Sequence, residues 1–196
     1  MRFLLGAAGL ALALDVASKM WVRANLPSVG SMAPLVPGWI HLQHVQNHGA
    51  AWSVMAGQTT FLILFTLAVI VLLEVSAKEI ARQGALSATA FGLILGGALG
   101  NFLDRATQGY VTDYFDLDTP VAWLQTFPVF NVADSALTVG VVLILLASLL
   151  KHRMKHALLP SQVICTTVHL MPQNASAAAL LSQVVRTPKR LPLGCL

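Results

Sequence analysis

The sequence predicts an all-α membrane protein with four transmembrane helices and a small β-containing platform between the first two. Of its 196 residues, 56% are hydrophobic and 10% are charged, and the mean hydropathy is +0.72. A soluble domain has about 25% charged residues. Long uncharged stretches recur along the chain, and about 20 such residues cross a bilayer core of about 30 Å. We therefore expect an integral membrane protein.

The first helix is predicted over residues 3–22, directly after Arg2. Asp15 and Lys19 lie within it one helical turn apart, the spacing at which two side chains form an ion pair. A secretory signal peptide begins in a similar way, but no small-residue cleavage site follows this segment. The sequence thus favours a retained spanning helix.

The platform is predicted in the segment after this helix. Residues 24–73 contain no Asp, Glu, Lys or Arg, and prolines and glycines interrupt the first part of the segment. Residues 39–46 then alternate apolar with polar side chains. This alternation predicts a short strand.

The other three helices are predicted at residues 59–75, 84–103 and 129–150. A short charged turn at residues 74–82 separates the second helix from the third, and an extramembrane loop is expected at residues 104–128. Small residues recur at every fourth position of the third helix: Ala88, Gly92, Gly96 and Gly100. This spacing lets another helix approach closely.

A membrane domain of residues 1–156 is expected to precede a basic, disordered tail of residues 157–196. Residues 1–150 hold six Lys or Arg and all eight acidic residues, whereas residues 151–196 hold six Lys or Arg and no acid. The net charge of +4 therefore belongs to the tail and predicts no nucleic-acid partner. Cys165 and Cys195, also in the tail, indicate neither a disulfide framework nor a metal pair.

Basic residues flanking the predicted helices indicate how the chain crosses the bilayer. More of them cluster beside the termini and the short middle turn than beside the two longer loops. The positive-inside rule then predicts that both termini are cytoplasmic and that the longer loops face out.

Polar side chains from three helices are predicted to meet at one depth. Depth is estimated from the helix rise, counted from the basic residues at the cytoplasmic helix ends. By this count, Asp15, Asp134 and Asp104 lie about 20, 25 and 33 Å from the cytoplasmic side. Asn101 and Asn131 lie at about 28 and 30 Å. In a core of about 30 Å, these groups gather in the outer leaflet or at its surface.

Asp113 and Asp134 are the candidate catalytic pair. Ionisable groups at membrane depth cost about 3 kcal/mol each and usually face a bundle interior or a water-filled site. If the fold brings the two carboxyls together, one pKa rises strongly and the pair shares a proton. An aspartic protease activates water in this way. No serine triad or zinc spacing competes with this chemistry.

Other interpretations of the polar residues stay open. Asp104 and Arg105 are also suited to capping a helix end, and Asp116 and Asp118 are expected to be solvated loop charges. No metal is predicted, because three histidines match no zinc spacing: His41, His44 and His48. A small proton- or ion-coupled transporter and a membrane adaptor without catalysis are the alternative function classes.

Five motifs, in order, resemble those of the lipoprotein signal peptidase (signal peptidase II) family. They are DVASK (residues 15–19), NHGAAW (47–52), GNFLDR (100–105), GYVTDYFD (109–116) and FNVADSALTVG (130–140). The resemblance covers about residues 1–150. Each motif alone is weakly specific, whereas five in register are strongly specific.

The resemblance implies an aspartic endopeptidase of the bacterial inner membrane. Such enzymes remove the signal peptide from diacylglyceryl-modified prolipoproteins by cleaving before the lipobox cysteine. It implies catalysis by Asp113 and Asp134 near the outer leaflet surface, and an extracytoplasmic platform over residues 28–52. Supporting or substrate-binding roles are implied for seven residues: Asp15, Lys19, Asn47, Asn101, Asp104, Arg105 and Asn131. Membrane lipid is the other partner, and the reaction requires neither a cofactor nor an oligomer.

Overall fold

The computed structural model describes residues 1–49 and 57–169, with side chains described up to residue 150. Its elements are α1 (Arg2–Asn25), β1 (Met32–Val36), β2 (Ile40–Asn47), α2 (Thr59–Arg82), α3 (Ala85–Gln108), β3 (Val111–Asp116), α4 (Ala122–Gln125) and α5 (Val132–His169). Within these residues, four helical stretches are long and apolar enough to cross a membrane: α1, α2, α3 and Val132–Leu150 of α5. The predicted membrane fold class is confirmed.

All four predicted spanning helices are present, and each ends later than predicted. The prediction of a charged turn at residues 74–82 is wrong, because α2 continues to Arg82. The chain reverses at Gly84, which has a positive φ of 116°. Glu, Lys and Arg are good helix formers, so a helix can continue past its apolar segment.

The fourth predicted helix corresponds to α5 and extends well past residue 150. Its backbone is helical to His169, beyond the boundary predicted at residue 156, and the division into a membrane domain and a separate tail stays a prediction. Residues 170–196 of the predicted tail lie outside the described residues. The site described below belongs to the compact unit Met1–Leu146.

Glycines bring α3 into close contact with α1. A Cβ on Gly96 would lie 2.5 Å from the backbone oxygen of Ala8, and one on Gly92 would collide with the backbone oxygen of Leu4. The first turn of α5 packs against α3 just as closely, because a Cβ on Gly97 would lie 2.5 Å from the backbone oxygen of Ala133. The small residues of α3 therefore allow two neighbouring helices to reach its backbone, as their spacing predicts.

The three strands form one antiparallel sheet in the order β1-β2-β3. The strand predicted at residues 39–46 is confirmed as β2. The platform is not confined to the region between the first two helices, because β3 follows α3, inside the predicted loop at residues 104–128. The first four residues of β3 are all buried, so its sequence lacks the alternation typical of a half-exposed strand.

Candidate active site

Asp113 is positioned by the tight connection between α3 and β3. Gly109 ends the helix in the left-handed conformation, with a φ of 80°, and β3 then pairs with β2 so that Asp113 lies opposite Val45. The backbone N–H of Thr112 donates to Asp104 Oδ2 at 2.9 Å. The side chain at the end of α3 thus fixes the residue that precedes Asp113.

Asp134 lies in the first turn of α5, where it forms a reciprocal cap with Asn131. The Asp134 N–H donates to Asn131 Oδ1 at 2.9 Å, and the Asn131 N–H donates to Asp134 Oδ2 at 3.2 Å. Each side chain satisfies a backbone donor that the start of a helix leaves unpaired. The helix start itself therefore orients the Asp134 carboxylate.

Asparagine side chains hold both carboxyls. Asn131 Nδ2 donates to Asp113 Oδ1 at 2.6 Å, and Asn47 Nδ2 donates to Asp113 Oδ2 at 2.9 Å. Asn101 Nδ2 donates to Asp134 Oδ1 at 2.8 Å. Amides donate to a carboxylate without bringing a charge of their own, so the pair is oriented without being neutralised.

A cavity of about 470 Å³ opens beside the pair. It is lined by Asn47, Asn101, Arg105, Val111, Asp113, Phe127, Pro128, Val129, Phe130, Asp134, Leu137 and Thr138. Its polar residues converge from β2, β3, α3 and α5, and the other walls are mostly apolar. An apolar pocket with a few convergent polar groups is the usual form of a ligand or active site.

Asp113 is 3% exposed, and this burial has an electrostatic consequence. Burial and, to a lesser degree, the nearby charge of Asp134 raise the pKa of Asp113 to about 7, against the lowering effect of the Asn47 and Asn131 amides. A carboxyl in this environment keeps its proton in mildly acidic solution. Asp134, in contrast, is only half-buried.

Lys19 lies behind the pair as a buried cation with three acceptors. Its Nζ contacts Asp15 Oδ2 at 2.8 Å, Asn101 Oδ1 at 2.9 Å and Asp104 Oδ2 at 3.3 Å. The predicted ion pair between Asp15 and Lys19 is confirmed. Asp15 Oδ1 also accepts from the Ala133 N–H at 2.9 Å, which ties α1 to the start of α5.

Arg105 reaches toward the platform from the end of α3. Its Nη2 donates to the Gly49 carbonyl at 2.8 Å, and the Gly49 N–H donates to Asn47 Oδ1 at 2.9 Å. All nine predicted site residues thus belong to one polar network, in which Gly49 connects Arg105 to Asn47.

The carboxylates that also had a structural interpretation differ in their surroundings. Asp104 joins the helix end to its surroundings, accepting from Thr112, Arg23 and Gln108. Asp118 is exposed, as predicted, with its carboxylate 3.2 Å from His41 Nδ1, whereas Asp116 is half-buried in β3. In the part of the chain that the structure describes, no three potential ligands of types His, Cys, Asp and Glu converge on a metal position.

Three network residues escaped the sequence-based prediction: Arg23, Thr112 and Tyr114. Arg23 Nη1 donates to Thr112 Oγ1 at 2.9 Å, and the Tyr114 hydroxyl donates to Ser18 Oγ at 2.6 Å. Burial raises the pKa of Tyr114 to about 12, so this hydroxyl remains a donor. The four-residue spacing of Asp15, Lys19 and Arg23 was a usable signal for Arg23. No local sequence pattern indicates the contacts of Thr112 and Tyr114.

Comparisons with known proteins agree on one family. The family model described as "Signal peptidase (SPase) II" matches residues 7–150. The lipoprotein signal peptidase of Latilactobacillus sakei is 40% identical over 72% of this chain and 90% of its own length. The lipoprotein signal peptidase of Nostoc punctiforme is 39% identical over 74% and 88%. A bacterial membrane enzyme solved by the in meso method has a TM-score of 0.68 and 32% identity, covering 74% of this chain and 87% of that one.

Proposed function

Because this chain belongs to the signal peptidase II family, we propose that it is an aspartic endopeptidase that removes the signal peptide from diacylglyceryl-modified prolipoproteins. Cleavage occurs before the lipobox cysteine, with Asp113 and Asp134 as the catalytic pair. The single observation that carries this assignment is that both carboxyls line one cavity and are joined through Asn131. The proximity of two carboxyls with different burial favours acid and base roles.

The environments of the two carboxyls support distinct roles. Asp113, with a pKa raised to about 7 by burial, holds the proton at rest. Asp134, less buried and capping α5, acts as the base. Asp134 takes a proton from water as the water oxygen attacks the scissile carbonyl carbon, while Asp113 gives its proton to the carbonyl oxygen.

Collapse of the tetrahedral intermediate reverses both proton transfers. The bond between the carbonyl carbon and the amide nitrogen breaks, and Asp134 delivers its proton to the leaving amine. Asp113 regains its proton from the hydroxyl as the new carboxyl group forms. The proton count of the pair is then restored, and water is the only reagent consumed.

The remaining polar residues act in binding and positioning. Asn47, Asn101 and Asn131 orient the carboxyls, and Arg105 is placed to contact the substrate backbone at the rim of the cavity. Asp15, Lys19 and Asp104 hold α1, α3 and β3 together behind the site. Correct positioning of reacting groups contributes a large share of enzymatic rate enhancement.

The membrane placement follows from the substrate. A prolipoprotein held by its acyl chains and its signal helix presents the scissile bond near an interface, and the cavity lies at one end of the spanning helices, beside the sheet. We place this end at the outer surface of the bacterial inner membrane, with both termini in the cytoplasm. A proton- or ion-coupled transporter is not favoured, since the polar groups gather at that end rather than at mid-depth.

Cleavage of a lipid-modified substrate by the purified chain tests the proposal. In detergent or vesicles, the protein should release the signal peptide of a diacylglyceryl-modified prolipoprotein and cut before its cysteine. Asp113→Asn and Asp134→Asn should each lower the rate by about 10²-fold or more, because general acid–base catalysis is lost. Asp118→Asn, which alters an exposed carboxyl of the same region, is the matched control and should cleave normally.

Two results would overturn the assignment. A folded wild-type chain that leaves the lipid-modified substrate intact would remove the activity. Wild-type rates for either dyad variant would remove that carboxyl from the mechanism and leave the peptidase activity to other residues.

A further inference from the structure

The β1–β2 hairpin, residues 29–47, carries an unusual amount of exposed apolar surface. Five large hydrophobic side chains there are 44–59% exposed: Val29, Met32, Leu35, Val36 and Trp39. The hairpin contains no Asp, Glu, Lys or Arg. Several exposed apolar side chains grouped on one uncharged hairpin indicate a site of interaction with a membrane or another protein.

β1 is the outer strand of the sheet and buries neither of its faces fully. Met32, Pro34, Leu35 and Val36 are exposed, and Ala33 is half-buried. Edge strands of soluble proteins commonly carry charges that prevent association. The sequence of β1 has the apolar character of a strand that lies against lipid.

The hairpin is tied to one end of a membrane-spanning helix. The Gly30 N–H donates to the His44 carbonyl at 2.8 Å, and His44 Nδ1 lies 2.7 Å from the carbonyl oxygen of Leu26, the residue after α1. Near this end of α1, Trp21 has an exposed side chain. The hairpin is therefore anchored at the end of the spanning helix near which Trp21 is exposed.

Tryptophan placement supports a lipid surface as the partner. Trp21 and Trp39 are both about half exposed, one near the end of α1 and the other beside the hairpin turn. Tryptophan is enriched at the headgroup level of membranes, where its ring is partly buried and its N–H meets water. A soluble partner would not need both residues at the same end of the molecule.

We infer that the β1–β2 hairpin inserts its apolar tip into the interfacial layer of the bilayer, with Trp39 at headgroup level. The partner is the lipid surface itself, and no charged lipid is required because the hairpin has no charge. A second copy of the chain is the competing occupant, and it is an outcome of the test below.

Insertion has a consequence for the site, which rests on the proposed function. β2 pairs with β3 so that Val45 lies opposite Asp113, and Asn47 at the end of β2 donates to the Asp113 carboxyl. A hairpin held in the interface therefore holds Asp113 at one height relative to lipid. A lipid-anchored scissile bond also has a fixed height, so this arrangement brings the two together.

Fluorescence of Trp39 in vesicles tests the insertion without reference to activity. The full chain with Trp21→Phe, Trp52→Phe and Trp123→Phe is reconstituted in neutral phosphatidylcholine vesicles, with bromine atoms placed either near the headgroup end or near the chain ends. Trp39 should be quenched several-fold more by bromine near the headgroup end than by bromine near the chain ends. It should also be shielded from aqueous acrylamide. A single-tryptophan chain that keeps Trp123 instead is the comparison for an exposed tryptophan outside the hairpin.

Two fluorescence results would overturn the inference. Strong acrylamide quenching with no bromine effect would leave the hairpin in water. If Trp39 is shielded from acrylamide but is not quenched by bromine, and if the shielding increases with the ratio of protein to lipid, the surface binds a second copy of the chain.

Cleavage in vesicles tests the consequence for the site. Trp39→Glu should lower the rate several-fold in vesicles, whereas Trp39→Phe should cleave as the wild type does. Equal rates for both variants would show that insertion does not set the height of Asp113. An inactive wild type would count against the proposed function and leave the fluorescence result unaffected.

Discussion

Asn131 donates its side-chain amide to Asp113 Oδ1 at 2.6 Å while its backbone N–H donates to Asp134 Oδ2 at 3.2 Å. One fully buried residue thus contacts both carboxyls of the proposed pair. Because Asn131 directly precedes α5, the start of that helix and the orientation of the pair depend on each other. The same geometry gives the two carboxyls unequal surroundings.

The raised pKa of Asp113 predicts that stability falls as pH rises. Its folded-state pKa of about 7 exceeds the ordinary value of 3.8, so between these limits the folded state binds more protons than the unfolded state. Folding stability therefore decreases from about pH 4 to pH 7, by roughly 4 kcal/mol at most for a shift of about three units.

Asp113→Asn removes this pH dependence, because an amide stays neutral. The variant should match the wild type most closely below pH 4 and become progressively more stable relative to it up to about pH 7. Melting temperatures in detergent across this range measure the difference. A constant difference at every pH would contradict the raised pKa.

Removal of the Lys19 charge should strongly destabilise the protein. Lys19→Met leaves Asp15 and Asp104 without the buried cation that both contact. Loss of one partner from a buried ion pair costs about 3–5 kcal/mol. Thermal or denaturant unfolding in detergent measures this loss. The control is Lys78→Met, at an exposed position near the end of α2, whose free energy of unfolding should stay within about 0.5 kcal/mol of the wild type. Similar effects of both substitutions would contradict the role of Lys19.

Close packing between α1 and α3 predicts that Gly96→Ala is destabilising. The added Cβ would lie 2.5 Å from the Ala8 oxygen and 2.9 Å from the Ala11 Cβ, so the helices must separate. Overpacking of this kind costs about 1–3 kcal/mol. Gly9→Ala adds the same methyl group to α1, where nothing lies within 4 Å. Its melting temperature should stay near that of the wild type, and an equal loss in both variants would count against the packing explanation.

Deletion of residues 157–196 should preserve cleavage. The family match ends at residue 150, and every proposed site residue lies within Met1–Leu146. The truncated chain should therefore cleave the lipid-modified substrate within about two-fold of the full-length rate, since no reacting group is removed. Circular dichroism provides the folding control, and a folded but inactive truncation would show that the deleted segment takes part in the reaction.

Local sequence patterns were sufficient for the spanning helices and for part of the site. The length of the uncharged stretches predicted the spanning helices. The four-residue spacing predicted the ion pair of Asp15 and Lys19, and the recurring small residues predicted that another helix contacts α3 closely. These features depend on neighbours within one or two helical turns. Helix ends were less predictable, because polar helix formers extend α2 and α3 beyond their apolar segments.

The sequence by itself determined which residues lie in the membrane and which polar types reach one end of the spans. Only the tertiary structure decided that Asn47 contacts Asp113 across a sheet and that Asn131 joins Asp113 to Asp134. The physical reason is that such contacts depend on strand register, on helix approach at glycines and on a left-handed turn at Gly109. They join residues far apart in the chain, and no local periodicity encodes them.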